Sequence, residues 1–537
     1  MKRFGSIYPF LEHGWGPRHV GRLVANYEFV KALLLYGSYD EYVFSNSSRL
    51  NLRTFADVTH GWGLSGTQLA RVRHVSYADL PGVLRTESFH VFHLGGWGWF
   101  MPGLHDIRAR YARNPWPITA VTHALHGPDP IDYAVRLSHA GLAPYDAIFC
   151  TSADGRTALH RILERGALIA GRSYRGRLEQ MPLGIDDGRV DGPTDPAAGA
   201  QCRARLGIPS DTTVLLVLGR LTPFQKMDLA PLLRVFARRI VPASARPVKL
   251  LLAGGATADE LLLVKHAVDR EGLQAHVIVR AEFPDGEKDG LLAAADLLVS
   301  PVDNTQETFG LSLLEAMAAG LPVVASRFDG YKDLVRDGVD GFLVDTYGGA
   351  WAMADEWFDV TDLNVAQLQQ SQSVAVDLDQ LADRILRLVA DPDLRRTMGA
   401  AGRARVDAEF RWSRIIARYE AMWDRLAVQA QTTGLPPAGD HAYNFGPGRA
   451  FSHYPSQQLG AKQRLVAGDD PAGVRPYEEV ADLVEPPLLA ALHACAAGGG
   501  AEGVTVAQLQ ATSAAPPAQT QFAILWMLKY GLLRVVG

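Results

Sequence analysis

Two carboxylates, Glu307 and Glu315, stand on either side of Phe309-Gly310-Leu311, where a loop turns into a helical pattern. Carboxylates accept hydrogen bonds from sugar hydroxyls, and the free backbone N–H groups of a helix start attract phosphate. The pair therefore suits a sugar nucleotide, with Glu307 meeting the sugar and Glu315, further along the helix, reaching a ribose. Taken singly, either residue also reads as an ordinary surface glutamate favoured by the positive end of a helix.

The surrounding elements decide where these groups sit. Ala293 to Pro301 reads as a helix end followed by a buried strand that a proline stops. From Gly310, the apolar residues Leu311, Leu314, Met317 and Ala318 recur at helical spacing, and Gly320-Leu321-Pro322 ends the helix before a second buried strand, Val323-Val324-Ala325. The unit is strand, loop, helix, strand, and Glu307 lies in the loop at a strand's carboxyl end. Open α/β sheets bind ligands there.

The whole string is far more specific than the pair. Glu307, Phe309-Gly310, Leu314-Glu315-Ala316-Met317-Ala318, Gly320 and Pro322-Val323 together resemble the signature of retaining family 4 glycosyltransferases, glycosyltransferase group 1. That resemblance implies an α/β GT-B fold of two facing Rossmann-like domains with a cleft between them. It also implies a hexosyltransferase-type enzyme that takes a sugar from a UDP- or GDP-sugar without metal or cofactor. Transfer would be front-face, the departing phosphate itself helping to deprotonate the acceptor.

A departing diphosphate gains negative charge as the glycosidic bond breaks, and fixed cations stabilise it. Gly219-Arg220 ends a strand and Lys226 follows in Gln225-Lys226-Met227. These resemble the family's Gly-Arg and Lys-Gly pair, with Met227 in place of the glycine, so the resemblance gives Arg220 and Lys226 to the diphosphate. His123, at the end of the strand run Ile118–His123, matches the family's strand-end histidine near the reaction centre; His126 is read as accessory, with an exchange of roles left open. The implied catalytic set is His123, Glu307, Arg220 and Lys226.

Donor binding is assigned by the same resemblance to Gly14 and Gly16 of a glycine-rich loop, and to Phe309, Gly310, Leu311 and Glu315. Arg280, at a strand end, either holds the base or is simply solvated. Trp97, Trp99 and Phe100 follow a strand end in the first domain, where the family binds its acceptor; aromatic faces suit sugar rings and equally suit buried packing. Pro182-Leu183-Gly184-Ile185-Asp186 resembles the family's junction turn, with Leu183 replacing an asparagine. Neither Asp186-Asp187 nor Asp391-Pro392-Asp393 has the setting of a metal site.

A chain of 537 residues is too long for one core. We divide it into an acceptor domain (1–195), a donor domain (196–400), a crossover helix (401–428), a linker (429–475) and a module (476–537). The module resembles a winged helix: three short helices near Pro487–Cys495, Val506–Ala511 and Thr520–Tyr530, then a closing strand. From Glu478 onward it carries Lys529 and Arg534 against Glu478, Glu479, Asp482, Glu485 and Glu502. Such a surface cannot neutralise a phosphate backbone, so the module is expected to dimerise or to dock a protein or peptide, not to bind nucleic acid.

The whole-chain charge of −5 gives no general attraction to nucleic acid or anionic membrane, and any such partner needs a local patch. Three scattered cysteines, the lack of a signal-peptide pattern and the lack of a long apolar run lead us to expect a cytoplasmic protein without a transmembrane segment. Two other readings compete with the transferase. One is a sugar phosphorylase of the same fold; the other is a non-catalytic sugar-nucleotide-binding protein that recruits or regulates a partner.

Overall fold

A computed structural model describes residues 1–7, 10, 21–46, 49–127, 129–191, 196–349, 356, 360–437, 446 and 450–536. Gly14 and Gly16 lie outside the described residues.

The first domain holds seven parallel strands: β1 (Arg3–Ser6), β2 (Glu41–Asn46), β3 (Val72–Ser76), β4 (Val91–Leu94), β5 (Ile118–Val121), β6 (Ala147–Cys150) and β7 (Arg177–Gln180). Their order across the sheet is β3-β2-β1-β4-β5-β6-β7. Strands β4, β5 and β6 are buried along their whole length, as near-continuous apolar runs must be when helices cover both faces. The order reverses beside β1, so the crevice of this sheet opens between the ends of β1 and β4.

The second domain repeats the plan with β8 (Thr213–Leu218), β9 (Val248–Gly254), β10 (Val277–Ala281), β11 (Leu297–Ser300), β12 (Val323–Ser326) and β13 (Gly341–Val344). The order is β10-β9-β8-β11-β12-β13, and β8 pairs with β11 through Leu215 to Leu297 and Leu216 to Leu298. The switch point of this sheet therefore falls between the carboxyl ends of β8 and β11. The loops leaving those two strands carry Arg220, Lys226 and Glu307.

Helix Trp412–Thr433 returns to the first domain. Its buried Trp423 donates to Thr119 Oγ1 at 3.0 Å and packs against Phe4, while Tyr419 packs against Phe29 and Phe149. The helix runs to Thr433, five residues into the linker expected over 429–475.

That stretch also contains a strand, β16 (Arg464–Ala467), which follows the antiparallel pair β14 (Thr346–Gly348) and β15 (Val374–Val376) in chain order. It is the central strand of an antiparallel sheet with β17 (Val504–Thr505) and β18 (Leu533–Val535). Only Leu465 of β16 is fully buried, so its sequence shows almost no apolar alternation. Helices Pro486–Gly498, Val506–Thr512 and Pro517–Lys529 pack on this sheet around Leu492, Leu509, Ile524 and Met527, a core of their own.

Among the described residues no helix is long and apolar enough to cross a membrane.

Candidate active site

Lys226 and Glu307 meet directly across the switch point of the second sheet. The Lys226 ammonium is ion-paired with Glu307 Oε2, and both side chains are largely buried, at 12% and 14% exposure. Burial alone would lower the lysine pKa, but the Glu307 carboxylate and the Tyr331 hydroxyl outweigh it and hold the pKa above its ordinary value. Lys226 is therefore a permanent cation. Its aliphatic stem crosses Gly219, where a Cβ would stand 3.1 Å from Lys226 Cε.

Arg220 is folded back on its own loop, donating to Gln225 Oε1 and, at 3.1 Å, to the Gln225 carbonyl. Asn304 fixes the facing loop by donating to the Phe224 carbonyl at 2.9 Å.

Gly310 caps helix Leu311–Ala318 with φ 112°, a conformation that favours glycine. A Cβ there would lie 2.6 Å from the Tyr331 ring. Phe309 is in the core at 3% exposure, so of this residue only the backbone faces the loop, with its N–H toward Glu307 Oε1 at 3.4 Å. Leu311 packs on the edge of the same core.

Tyr331, fully buried, was not singled out from the sequence. Its hydroxyl lies 2.8 Å from Ser300 Oγ and accepts from Lys226 Nζ at 3.5 Å. Burial pushes its pKa up to about 12, so it stays protonated and supports Lys226 from below. Tyr331→Phe keeps the ring under Gly310 and removes only this support. We expect kcat to fall roughly three- to tenfold, the size of one modest hydrogen bond; an unchanged kcat would remove Tyr331 from the site.

Glu315 accepts from Lys288 at 2.8 Å and from Arg189 at 3.4 Å. Arg280 pairs with Glu287 at 2.8 Å and is 38% exposed on its side chain. Asp186 is taken up by Lys31 at 2.5 Å and by the Gly188 N–H, and Asp187 by the Ser413 hydroxyl. Asp391 caps helix Pro392–Glu409 through the N–H groups of Asp393 and Leu394.

His123 faces the cleft from the end of β5. Its Nε2 stands 3.1 Å from Asn26 Oδ1 and 3.0 Å from the Gly95 carbonyl. Two acceptors there place the proton on Nε2 and leave Nδ1 with its lone pair. Burial lowers the pKa to about 4, the Gly95 carbonyl opposing and Arg22 assisting, so the ring is neutral. Asn26 is 1% exposed on the apolar face of helix Gly21–Tyr36, the signal by which sequence could have found it. His126 is also held near 4, by burial and by the charge of Arg220. Of the two histidines, this is the one that senses the cation across the cleft.

Thr308, next to Glu307, donates to the His123 carbonyl at 2.5 Å and accepts from Thr151 at 3.3 Å, so the two loops close on each other. The start of helix Ala153–Ala170 adds to this contact: Ser152 donates to Asp329 at 3.3 Å and the Ala153 N–H to Asp333 at 2.7 Å. Burial, then Asp154 and Glu307, push the Asp329 pKa from 3.8 to about 7. The folded protein thus binds a proton more tightly than the unfolded chain, and this site loses stability as pH rises from about 4 to about 7. Asp329→Asn, which tolerates the φ of 40° at this position, is expected to melt above wild type at pH 8 and close to it at pH 4. Parallel melting curves at both values would contradict this.

On the acceptor side, Trp97 is 7% exposed and packs edge-on against Tyr133, which resolves it as core. Trp99 and Phe100 are 55% and 44% exposed, and the Arg136 guanidinium lies 4.1 Å from the Trp99 ring centre.

Two facing parallel sheets with a cleft between their strand ends define the class as GT-B. The fold is similar to that of Anabaena HepE solved in complex with UDP, with a TM-score of 0.52 at 18% identity over 79% of this chain and 99% of that one. Residues 200–359 match the family Glycosyl transferases group 1. The D-inositol 3-phosphate glycosyltransferase of Thermobispora bispora is 32% identical over 399 residues, 67% of this chain and 82% of that protein. A GDP-mannose-dependent alpha-(1-6)-phosphatidylinositol monomannoside mannosyltransferase of Mycolicibacterium smegmatis is 28% identical over 56% of this chain and 72% of that protein. The chain belongs to the group 1 glycosyltransferases. It is an enzyme of nucleotide-sugar glycosyl transfer.

Proposed function

We propose that the chain is a retaining hexosyltransferase that holds a UDP- or GDP-sugar over the second sheet and transfers the sugar to an acceptor hydroxyl entering from the first domain. The observation that carries this reading is the meeting of Lys226 and Glu307 between the loops of β8 and β11, with the Gly310 helix start beside them. Arg220, Lys226 and the backbone at Gly310 stabilise the departing diphosphate. Glu307 orients the sugar, and neutral His123 offers Nδ1 near the reacting carbon. Glu315 takes the ribose by exchanging Lys288 and Arg189 for its hydroxyls, and Arg280 lies toward the base. The departing phosphate serves as the base for the acceptor, which passes Trp99 and Phe100.

The relatives' names and the UDP bound to HepE support both nucleotides as candidates. The module around residues 476–537 we read as winged-helix-like and as a surface for a protein, a peptide or a second copy. Cys150, Cys202 and Cys495 are all free thiols, which supports a cytoplasmic setting.

The test is a thermal-shift panel of nucleoside diphosphate sugars, since a ligand of the folded state raises its melting temperature. The anomeric configuration of the product formed from the stabilising donor follows by NMR. We expect one nucleotide class to stabilise and configuration to be kept. An inverted product would refute the mechanism, and no shift with any donor would refute the site.

A further inference from the structure

The far end of helix Ala153–Ala170 carries a surface that transfer chemistry does not use. Over residues 156–177 the sequence has six arginines against one glutamate, in a chain whose net charge is −5. Arg161, Arg165, Arg172 and Arg175 toward this end are all exposed, as is Arg156 in the first turn of the helix. The single acid, Glu164, faces His160 at 3.4 Å. None of the five arginines has a carboxylate partner among the described residues.

Between them stand Leu168 and Ile169, 76% and 58% exposed. Arg161, Arg165 and Leu168 follow one another at helical spacing, so they share one outward stripe. The helix ends at Gly171, and Arg172 and Arg175 flank the aliphatic pair on the loop to β7. An open groove of about 1230 Å³ runs beside the stripe, lined by Arg156, His160, Arg161, Leu168 and Tyr174. The Tyr174 hydroxyl is buried without a hydrogen-bond partner among the described residues.

We propose that this surface docks the protein on an anionic lipid bilayer. A bilayer of that kind offers phosphate for the arginines and hydrocarbon for Leu168 and Ile169 in the same few ångströms, the combination an interfacial helix end requires. Nucleic acid supplies the phosphate but gives two bare aliphatic side chains nothing to enter. With an overall charge of −5, attraction depends on local basic patches, and docking through this one orients the molecule. The helix starts at the domain cleft and is 18 residues long, so the tip lies roughly 25 Å from the cleft at 1.5 Å per residue. Docking there leaves the cleft unobstructed.

Co-sedimentation of the full chain with phosphatidylcholine vesicles, with and without phosphatidylglycerol, tests the proposal. Wild type is expected to pellet only with the anionic vesicles, and less so as salt is raised. Two variants separate the contributions. Leu168→Ser with Ile169→Ser removes the apolar tip and should weaken partitioning about tenfold. Arg161→Glu, Arg165→Glu and Arg172→Glu together should abolish it. All of these side chains are exposed, so both variants should keep the wild-type melting temperature and donor-induced shift. The proposal is overturned by wild type that stays in the supernatant, by charge-reversed protein that binds as wild type does, or by equal binding to neutral vesicles. Tight binding of a DNA duplex with the same arginine dependence and no effect of the serine changes would overturn it in favour of nucleic acid.

Discussion

Lys226→Ala is expected to lower kcat by about 10²–10³, the loss found when one fixed group stabilising transition-state charge is removed, or about 2.7–4 kcal/mol of barrier. The cation is poised for this task. It is mostly buried, its charge is held by Glu307 and Tyr331, and its stem is confined by Gly219. Its charge is matched in this structure by Glu307. On the proposed function, a donor draws the ammonium toward its diphosphate and the carboxylate toward its sugar, and the ion pair is a preformed version of the loaded site. Removing one partner also leaves the other charge poorly solvated, so Lys226→Ala and Glu307→Ala should each lose stability that the double variant partly recovers. A melting curve for each variant, set beside its kcat, distinguishes lost chemistry from lost fold. Near wild-type turnover by folded Lys226→Ala protein would remove the leaving-group role.

The parts of this site that were legible in sequence are those carried by contiguous strings. Glu307 to Val324 marks a strand, a loop and a helix within a single run, and apolar strands such as Thr213–Leu218 announce a parallel sheet without reference to anything distant. The partners of those residues were not legible, because they come from elsewhere in the chain. Tyr331 sits after β12 and touches Lys226 from 105 positions away, and Asn26 reaches His123 across 97. Neither lies in a recognisable motif, and only the oddity of a polar residue on an apolar helix face marks Asn26.

The same reason explains Glu315. Helical position led to the expectation of a ribose partner, but nothing local shows that Lys288 and Arg189 pair with it. Strand β16 escaped because a central strand of four residues with one fully buried side chain has no periodicity to detect. The aromatic cluster Trp97, Trp99 and Phe100 divides for a geometric cause: Tyr133 covers Trp97, while Trp99 and Phe100 lie at the start of helix Phe100–Tyr111 and turn outward.

Arg108→Ala is expected to destabilise the first domain by about 3–5 kcal/mol, the cost of leaving a buried charge without its partner. Arg108 and Asp146 are both 0% exposed and meet in a two-pronged pair, at 2.6 Å and 2.8 Å. Asp146 also accepts from the Ile118 N–H at 2.8 Å and the Ala143 N–H at 2.7 Å, and Arg108 donates to the Trp116 carbonyl at 2.7 Å. The pair thus joins the entry ends of β5 and β6, whose exit ends present His123 and the Thr151-Ser152 contact to the second domain. Losing Arg108 should lower the melting temperature of this domain by roughly 6–20 °C, and turnover should fall at temperatures where the donor domain, which lacks this pair, still binds nucleotide. Arg108→Met combined with Asp146→Leu removes both charges and should recover only part of the loss, because no carboxylate is stranded but the Ile118 and Ala143 N–H groups lose their acceptor. Melting of Arg108→Ala within a degree of wild type would show that water or a neighbouring group reaches Asp146, and would dissociate the base of the sheet from the placement of His123.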